Sequence, residues 1–174
     1  MKWSVLTLVG ADQPGIVAAV TNALYTQGCD LAQASMMRLG ANFSIMLRVS
    51  HQPEIDLGDV LSDICASMGL HLHIDEDVAG QKQGHVAAVE PDVQVTVYGA
   101  NRSGIVAQVT SVLAEAGLNI IDLETDVGGS EEHPIYVMTM EGVAMNGIEP
   151  LQKAIENLDA DIEVNLDEVS TLRG

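Results

Sequence analysis

The sequence predicts an α+β protein built from two copies of one βαββαβ unit. Three observations predict it: an internal repeat, the same order of strand-like and helix-like periods in each copy, and a stretch rich in Gly, Gln and Ala between them. Sliding the 174-residue sequence against itself until Gly10 meets Gly99 also brings Gly15 onto Gly104 and Ile16, Val17 and Ala18 onto Ile105, Val106 and Ala107. Val20, Thr21, Leu24 and Gly28 then fall on Val109, Thr110, Leu113 and Gly117. About half of the residues from Gly10 to Gly28 recur in the second copy without a gap, and each copy is longer than a usual solenoid repeat.

In the first copy, Trp3 to Val9 is a β-branched and apolar run ended by Gly10, as suits a central strand. A helix follows: Pro14 fits its first turn, Ile16, Val17, Val20 and Leu24 recur at helical spacing, and Gly28 is placed to end it. Residues 30–39 read as extended, a turn falls at Gly40 to Asn42, and Phe43, Ile45, Leu47 and Val49 alternate as a strand, which makes a hairpin. Residues 54–68 set Ile55, Val60, Leu61, Ile64 and Met68 on one helical face, Gly69 stops that helix, and Leu70, Leu72 and Ile74 alternate in a last strand. The second copy repeats the order: strand 93–98, helix 103–116, strands 118–127 and 133–140, helix 147–158, strand 161–169.

The predicted domains are 1–77 and 92–174, joined by a linker at 78–91. A βαββαβ unit closes as a ferredoxin-like sandwich, a four-stranded antiparallel sheet with both helices on one face. The other face is expected to carry methionine, notably Met46, Met138 and Met140, and to be covered by the sister domain or a second chain.

Composition narrows the function. Seven basic against 25 acidic residues give a formal charge of −18, which repels phosphate backbones and anionic lipid, so neither direct nucleic-acid nor membrane binding is expected. The acids fall in short clusters such as Asp75, Glu76 and Asp77, without calcium-loop spacing, and suit solvated surface. Cys29 and Cys65 have no CxxC spacing and lie in apolar surroundings, which predicts buried reduced thiols and a cytoplasmic setting. Residues 1–11 mimic a signal peptide, but their recurrence at residues 93–100 marks them as a strand of the fold, and no apolar run approaches the roughly 18 residues of a membrane helix.

In both copies the loop after the first strand feeds a helix N-terminus, where unpaired N–H groups and about half a positive charge attract carboxylates. Gly15 and Gly104 lack a Cβ, which lets a carboxylate approach the backbone, and Asp12 and Asn101 stand where they can hold an ammonium group or hydrogen-bond an amino acid. The same residues also make good helix caps, and both readings stand at this point. The loop lacks the further glycines and the Lys-Ser/Thr pair of a phosphate loop.

The stretches GADQPGIVAAVTNALYTQGCDL and GANRSGIVAQVTSVLAEAGLNI each resemble the opening of an ACT domain, the amino-acid-sensing regulatory module, whose signature is a G-x-[DN]-x-P-G-[IVL] loop, a helix, and then G-x-[DN]-[IL]. The resemblance covers essentially the whole chain as two tandem modules with no attached catalytic domain, and this arrangement resembles the glycine cleavage system transcriptional repressor group. It implies an effector site where the first loop of one module faces the second strand of a neighbouring one. By matching positions the first module offers Asp12, Gln13, Pro14, Gly15 and Ile16 with Asp30 and Leu31, and the second offers Asn101, Arg102, Ser103, Gly104 and Ile105 with Asn119 and Ile120.

Ser103 stands where the pattern has proline, and Asp30 where it often has asparagine. Two carboxylates, Asp12 and Asp30, repel an anionic ligand group, so Asn101 and Asn119 are the favoured pair. The resemblance further implies a small amino-acid effector, such as glycine or serine, a protein partner such as a transcriptional regulator, a homodimer, and neither catalysis nor a cofactor.

Residue patterns also point to three other functions. Arg102 beside Asn101 has the residue types of an acylphosphatase, without that enzyme's phosphate cradle. His71, His73 and Asp75 alternate on one strand face with a spacing that can chelate zinc or nickel, or simply form a polar outer face. A pair of modules without a ligand would be an acidic scaffold for a basic protein.

Overall fold

The computed structural model describes residues 1–76, 89–100, 104–130, 133–158 and 162–169. The chain divides into two compact units, Met1–Ala87 and Ala88–Gly174. The predicted linker at 78–91 lies mostly outside the described residues.

The first unit runs β1 (Lys2–Ala11), α1 (Ile16–Thr26), β2 (Asp30–Leu39), β3 (Asn42–His51), α2 (Leu57–Met68) and β4 (His71–Glu76), with sheet order β2-β3-β1-β4. The second runs β5 (Val93–Ala100), α3 (Ile105–Glu115), β6 (Leu118–Ser130), β7 (His133–Ala144), α4 (Ile148–Glu156) and β8 (Ile162–Glu168), with order β6-β7-β5-β8. Every pairing is antiparallel. Both units are therefore βαββαβ sandwiches of the expected α+β class.

Strand period decides which face is covered. Leu6 and Leu8 on β1 pair with Leu47 and Ile45 on β3, and all four are buried in one cluster with Ile16, Val20 and Leu24 of α1 and Leu57 and Leu61 of α2. Burying a side chain of this size contributes roughly 1.5–3 kcal/mol, so this cluster holds both helices to one side of the sheet. The alternate residues, Val5, Met46 and Arg48 among them, belong to the opposite face. The second unit repeats this with Val93, Val95 and Val97 against Ile105, Val109, Leu113 and Leu151.

Two expectations need correction. Met46 does lie on the open face and is 52% exposed, but Met138 and Met140 are core residues, at 0% and 1%. They pair with Val97 and Val95, on the side that meets α3 and α4. Pro14 is not in the first turn of α1; it sits in the turn before it, and the helix begins at Ile16.

The second strand of each unit is interrupted at the same place. Register shifts between Leu31 and Gln33 on β2 and between Ile120 and Asp122 on β6, so Ala32 and Ile121 are the extra residues of two equivalent bulges.

Candidate functional site

The glycines that precede the first helix of each unit share one backbone conformation. Gly15 precedes α1 with φ 91° and ψ −4°, and Gly104 precedes α3 with φ 89° and ψ −2°. This is left-handed space that glycine enters without the clash an L side chain meets. The sharp bend aims the first amides of the helix out of the loop: intrahelical bonding begins with Ala19 N–H to Gly15 O at 2.9 Å and Gln108 N–H to Gly104 O at 2.9 Å.

The capping alternative for Asp12 is not realised. No side chain caps α1, whereas Asp56 caps α2 by accepting from Gly58 N–H at 2.8 Å and Asp59 N–H at 3.2 Å. Asp12 instead turns to β2, where its Oδ2 meets Arg38 Nε at 2.7 Å. Its own N–H donates to Ala41 O at 2.9 Å, and Gln13 Nε2 donates to Met68 O at 2.7 Å. The loop is thus tied to β2, to the β2–β3 turn and to the end of α2, while the amides of Ile16, Val17 and Ala18 are left without a side-chain cap.

Those amides border a pocket of about 320 Å³ lined by Asp12, Gln13, Gly15, Ile16, Val17, Ala18, Met36 and Phe43. The volume suits a small metabolite. N–H groups and the positive end of the helix dipole can hold a carboxylate, Asp12 can hold an ammonium group, and Met36 and Phe43 form an apolar wall. Arg38 offsets the Asp12 charge beside the pocket. Arg38, Met36 and Phe43 were not foreseen as site residues; Phe43 reads as core from its alternation, and nothing in the sequence singles out the other two.

The sequence-predicted residues divide into two places. Asp30 and Leu31 do not join the loop but line a separate pocket of about 270 Å³ with Thr21, Asn22, Leu24, Tyr25 and Cys29, beyond the other end of α1. Asp12 contacts Arg38 near the far end of β2, eight residues or roughly 26 Å of strand from Asp30, well past a Debye length of about 8 Å at physiological salt. Within one unit the two carboxylates are therefore too far apart to act on the same ligand. In the second unit Gly104 and Ile105 open α3 and Asn119 and Ile120 open β6 after it; Asn101, Arg102 and Ser103 lie outside the described residues.

His73 Nε2 meets Asp75 Oδ2 at 3.1 Å on the exposed open face, and among the described residues no three His, Cys, Asp or Glu side chains gather as a metal site. Ser4 Oγ and His51 Nε2 lie 3.0 Å apart, both buried, with His51 Nδ1 on Gln52 O at 2.8 Å, an internally satisfied pair. Cys29 is buried and Cys65 half-buried, both are free, and desolvation raises both thiols above their ordinary value. No described helix is long and apolar enough to cross a membrane.

Comparison with known proteins agrees with the fold. The ACT domain family matches residues 4–75 and again residues 93–163. Among solved structures, the chain is similar to an unknown protein from Galdieria sulphuraria, at 23% identity and TM-score 0.72, covering 97% of this chain and 99% of that one. It is also similar to a candidate glycine cleavage system transcriptional repressor, at 17% identity and TM-score 0.66, covering 98% of each. At these identities the likeness is one of fold. No curated protein matches the sequence. With the family matched in both halves, over most of the chain, the protein belongs to the ACT domain family and consists of two ACT domains in tandem.

Proposed function

We propose that this protein is a non-enzymatic regulator that binds a small amino acid, glycine or serine in size, at the loop between the first strand and first helix of its ACT domains. The observation that supports the reading is the pocket at α1, where amides without a side-chain cap, an ion-paired carboxylate and an apolar wall meet in about 320 Å³. Gly15 and Ile16 present the amides, Asp12 takes the ammonium group, and Gln13 and Pro14 shape the loop. The equivalent residues of the second domain, Asn101 to Ile105, form its counterpart.

Asp30 and Leu31 lie too far along their own domain to reach the same ligand, so in this reading they close the site of a neighbouring module, as Asn119 and Ile120 do by equivalence in the repeat. The ligand then bridges two modules and favours one packing over another. Only that difference in affinity can shift the equilibrium of a protein partner, such as a transcriptional regulator, or of a homodimer.

A screen of the natural amino acids by thermal shift tests this. A ligand at 100 times its Kd stabilises the folded state by about 2.7 kcal/mol. That corresponds to a rise in Tm of roughly 10–20 °C for a domain of 60–100 residues. Asp12→Ala is expected to remove the rise. If no amino acid moves the Tm, the sensing role fails.

A second reading, an acidic scaffold, has its own observation. The open face of the second sheet carries Asp122, Glu124, Asp126, Glu141, Glu163 and Asp167, opposite in register to the core residues of β6, β7 and β8. Retention of a basic partner with no amino-acid response would favour it.

A further inference from the structure

We propose that the open sheet face of the first domain holds a second binding site, for a small amphipathic carboxylate, with Arg48 as its anion contact. A cavity of about 500 Å³ lies on this face, lined by Val5, Gln33, Ala34, Ser35, Met46, Leu47 and Arg48. None of these residues belongs to the loop pocket at α1. Strand pairing explains the grouping: Arg48 on β3 stands opposite Val5 on β1 and Gln33 on β2, and Met46 stands opposite Ser35.

Arg48 is only 7% exposed, and its guanidinium lies 4.3 Å from the centroid of the Trp3 ring. Burying a guanidinium costs free energy that an aliphatic residue at the same position would not. Arg48 and Gln33 already have partners within the protein. Five N–H donors, in a planar fork shaped for a carboxylate, leave capacity for a ligand as well. Ser35 and Gln33 add polar contacts at one side, and Val5 and Met46 offer an apolar surface for a short alkyl chain. Such a mixture of apolar lining with a few placed polar groups is the usual make-up of a small-molecule site, and 500 Å³ is a suitable size.

The site is particular to the first domain. Val5 and Gln94 are equivalent positions of the repeat; Val5 pairs with Arg48, while Gln94 pairs with Glu141. Where the first sheet carries a buried cation the second carries a carboxylate, so the duplicated amino-acid loop does not account for Arg48.

The test uses the full chain with 13C-labelled methionine methyls and hexanoate as the probe. Met46 reports this cavity and Met36 reports the loop pocket. Hexanoate is expected to shift the Met46 methyl saturably and to leave Met36 in place, while the neutral isostere hexanamide shifts neither. Arg48→Met is expected to weaken hexanoate at least tenfold. Should that variant not fold, Arg48→Lys keeps the charge but loses the fork, and is expected to weaken it at least threefold. An unmoved Met46 methyl, an equal response to hexanamide, or unchanged affinity in the folded Arg48 variants would overturn the proposal. It does not depend on the amino-acid reading, whose failure would appear as a Met36 methyl insensitive to glycine and serine.

Discussion

Replacing Gly15 by alanine isolates the feature that both copies share. Its φ of 91° is forbidden ground for most L residues, and an added Cβ would meet no atom within 4 Å, so backbone strain acts alone, without a clash or a new contact. Left-handed backbone costs an L residue roughly 1–2 kcal/mol. At an ordinary φ the same substitution would instead stabilise by about 0.4–1 kcal/mol through the unfolded chain. The midpoints of these two opposing terms leave a net loss of about 0.8 kcal/mol, which an m-value of about 1–2 kcal/mol/M in urea turns into a fall in midpoint of roughly 0.4–0.8 M. Trp3 is the only tryptophan, so its fluorescence follows the first domain. Gly104→Ala, at φ 89° with equally open space, should show a similar loss by circular dichroism. A Trp3 midpoint that stays put or rises in Gly15→Ala would refute the left-handed hinge and with it the outward aim of the α1 amides.

Other expectations rest on single contacts. Gly10→Ala sets a Cβ 2.8 Å from Leu70 Cδ2 and 2.9 Å from Gly69 O, and overpacking of this kind costs about 1–3 kcal/mol in urea denaturation. Asp56→Ala removes the only side-chain cap among the described helices and should cost about 1 kcal/mol, measured the same way. Desolvation holds the Cys29 and Cys65 thiols above their ordinary value, so the unfolded chain loses these protons first as pH rises. Their contribution is complete below about pH 8.5 and is lost above it. Midpoints compared at neutral and alkaline pH should fall less in a Cys29→Ala, Cys65→Ala double variant than in the parent; an equal fall would contradict the assignment.

Much of the fold is legible in the residues because each element has one period and one stop. Phe43, Ile45, Leu47 and Val49 alternate along one strand, and Ile16, Val20 and Leu24 recur by turns of helix, so the core faces of β3 and α1 are determined before any coordinate. β7 is different: Ile135 and Val137 are as apolar as Tyr136, Met138 and Met140, both phases read as core, and only pairing with Val95 and Val97 decides which faces the helices. The bulges at Ala32 and Ile121 interrupt runs with no Gly or Pro to mark them.

The candidate site was legible as a loop but not as a pocket. Gly15 and Ile16 follow from the repeat, whereas Arg38, which turns Asp12 away from capping, comes from a strand end that only the hairpin brings near. The separation of Asp30 from Asp12 follows from the length of β2, about 3.3 Å for each residue, and is invisible to a motif that lists both together.

In the proposed function, the first amides of α1 receive the carboxylate of a free amino acid. Titrating the 15N-labelled full chain with glycine and with serine tests it most directly. Saturable shifts are expected for at least one of the two, largest at Ile16, Val17 and Ala18 and extending to Asp12. Amides at these positions that stay fixed at saturating concentrations of both, or shifts confined to other parts of the chain, would contradict it.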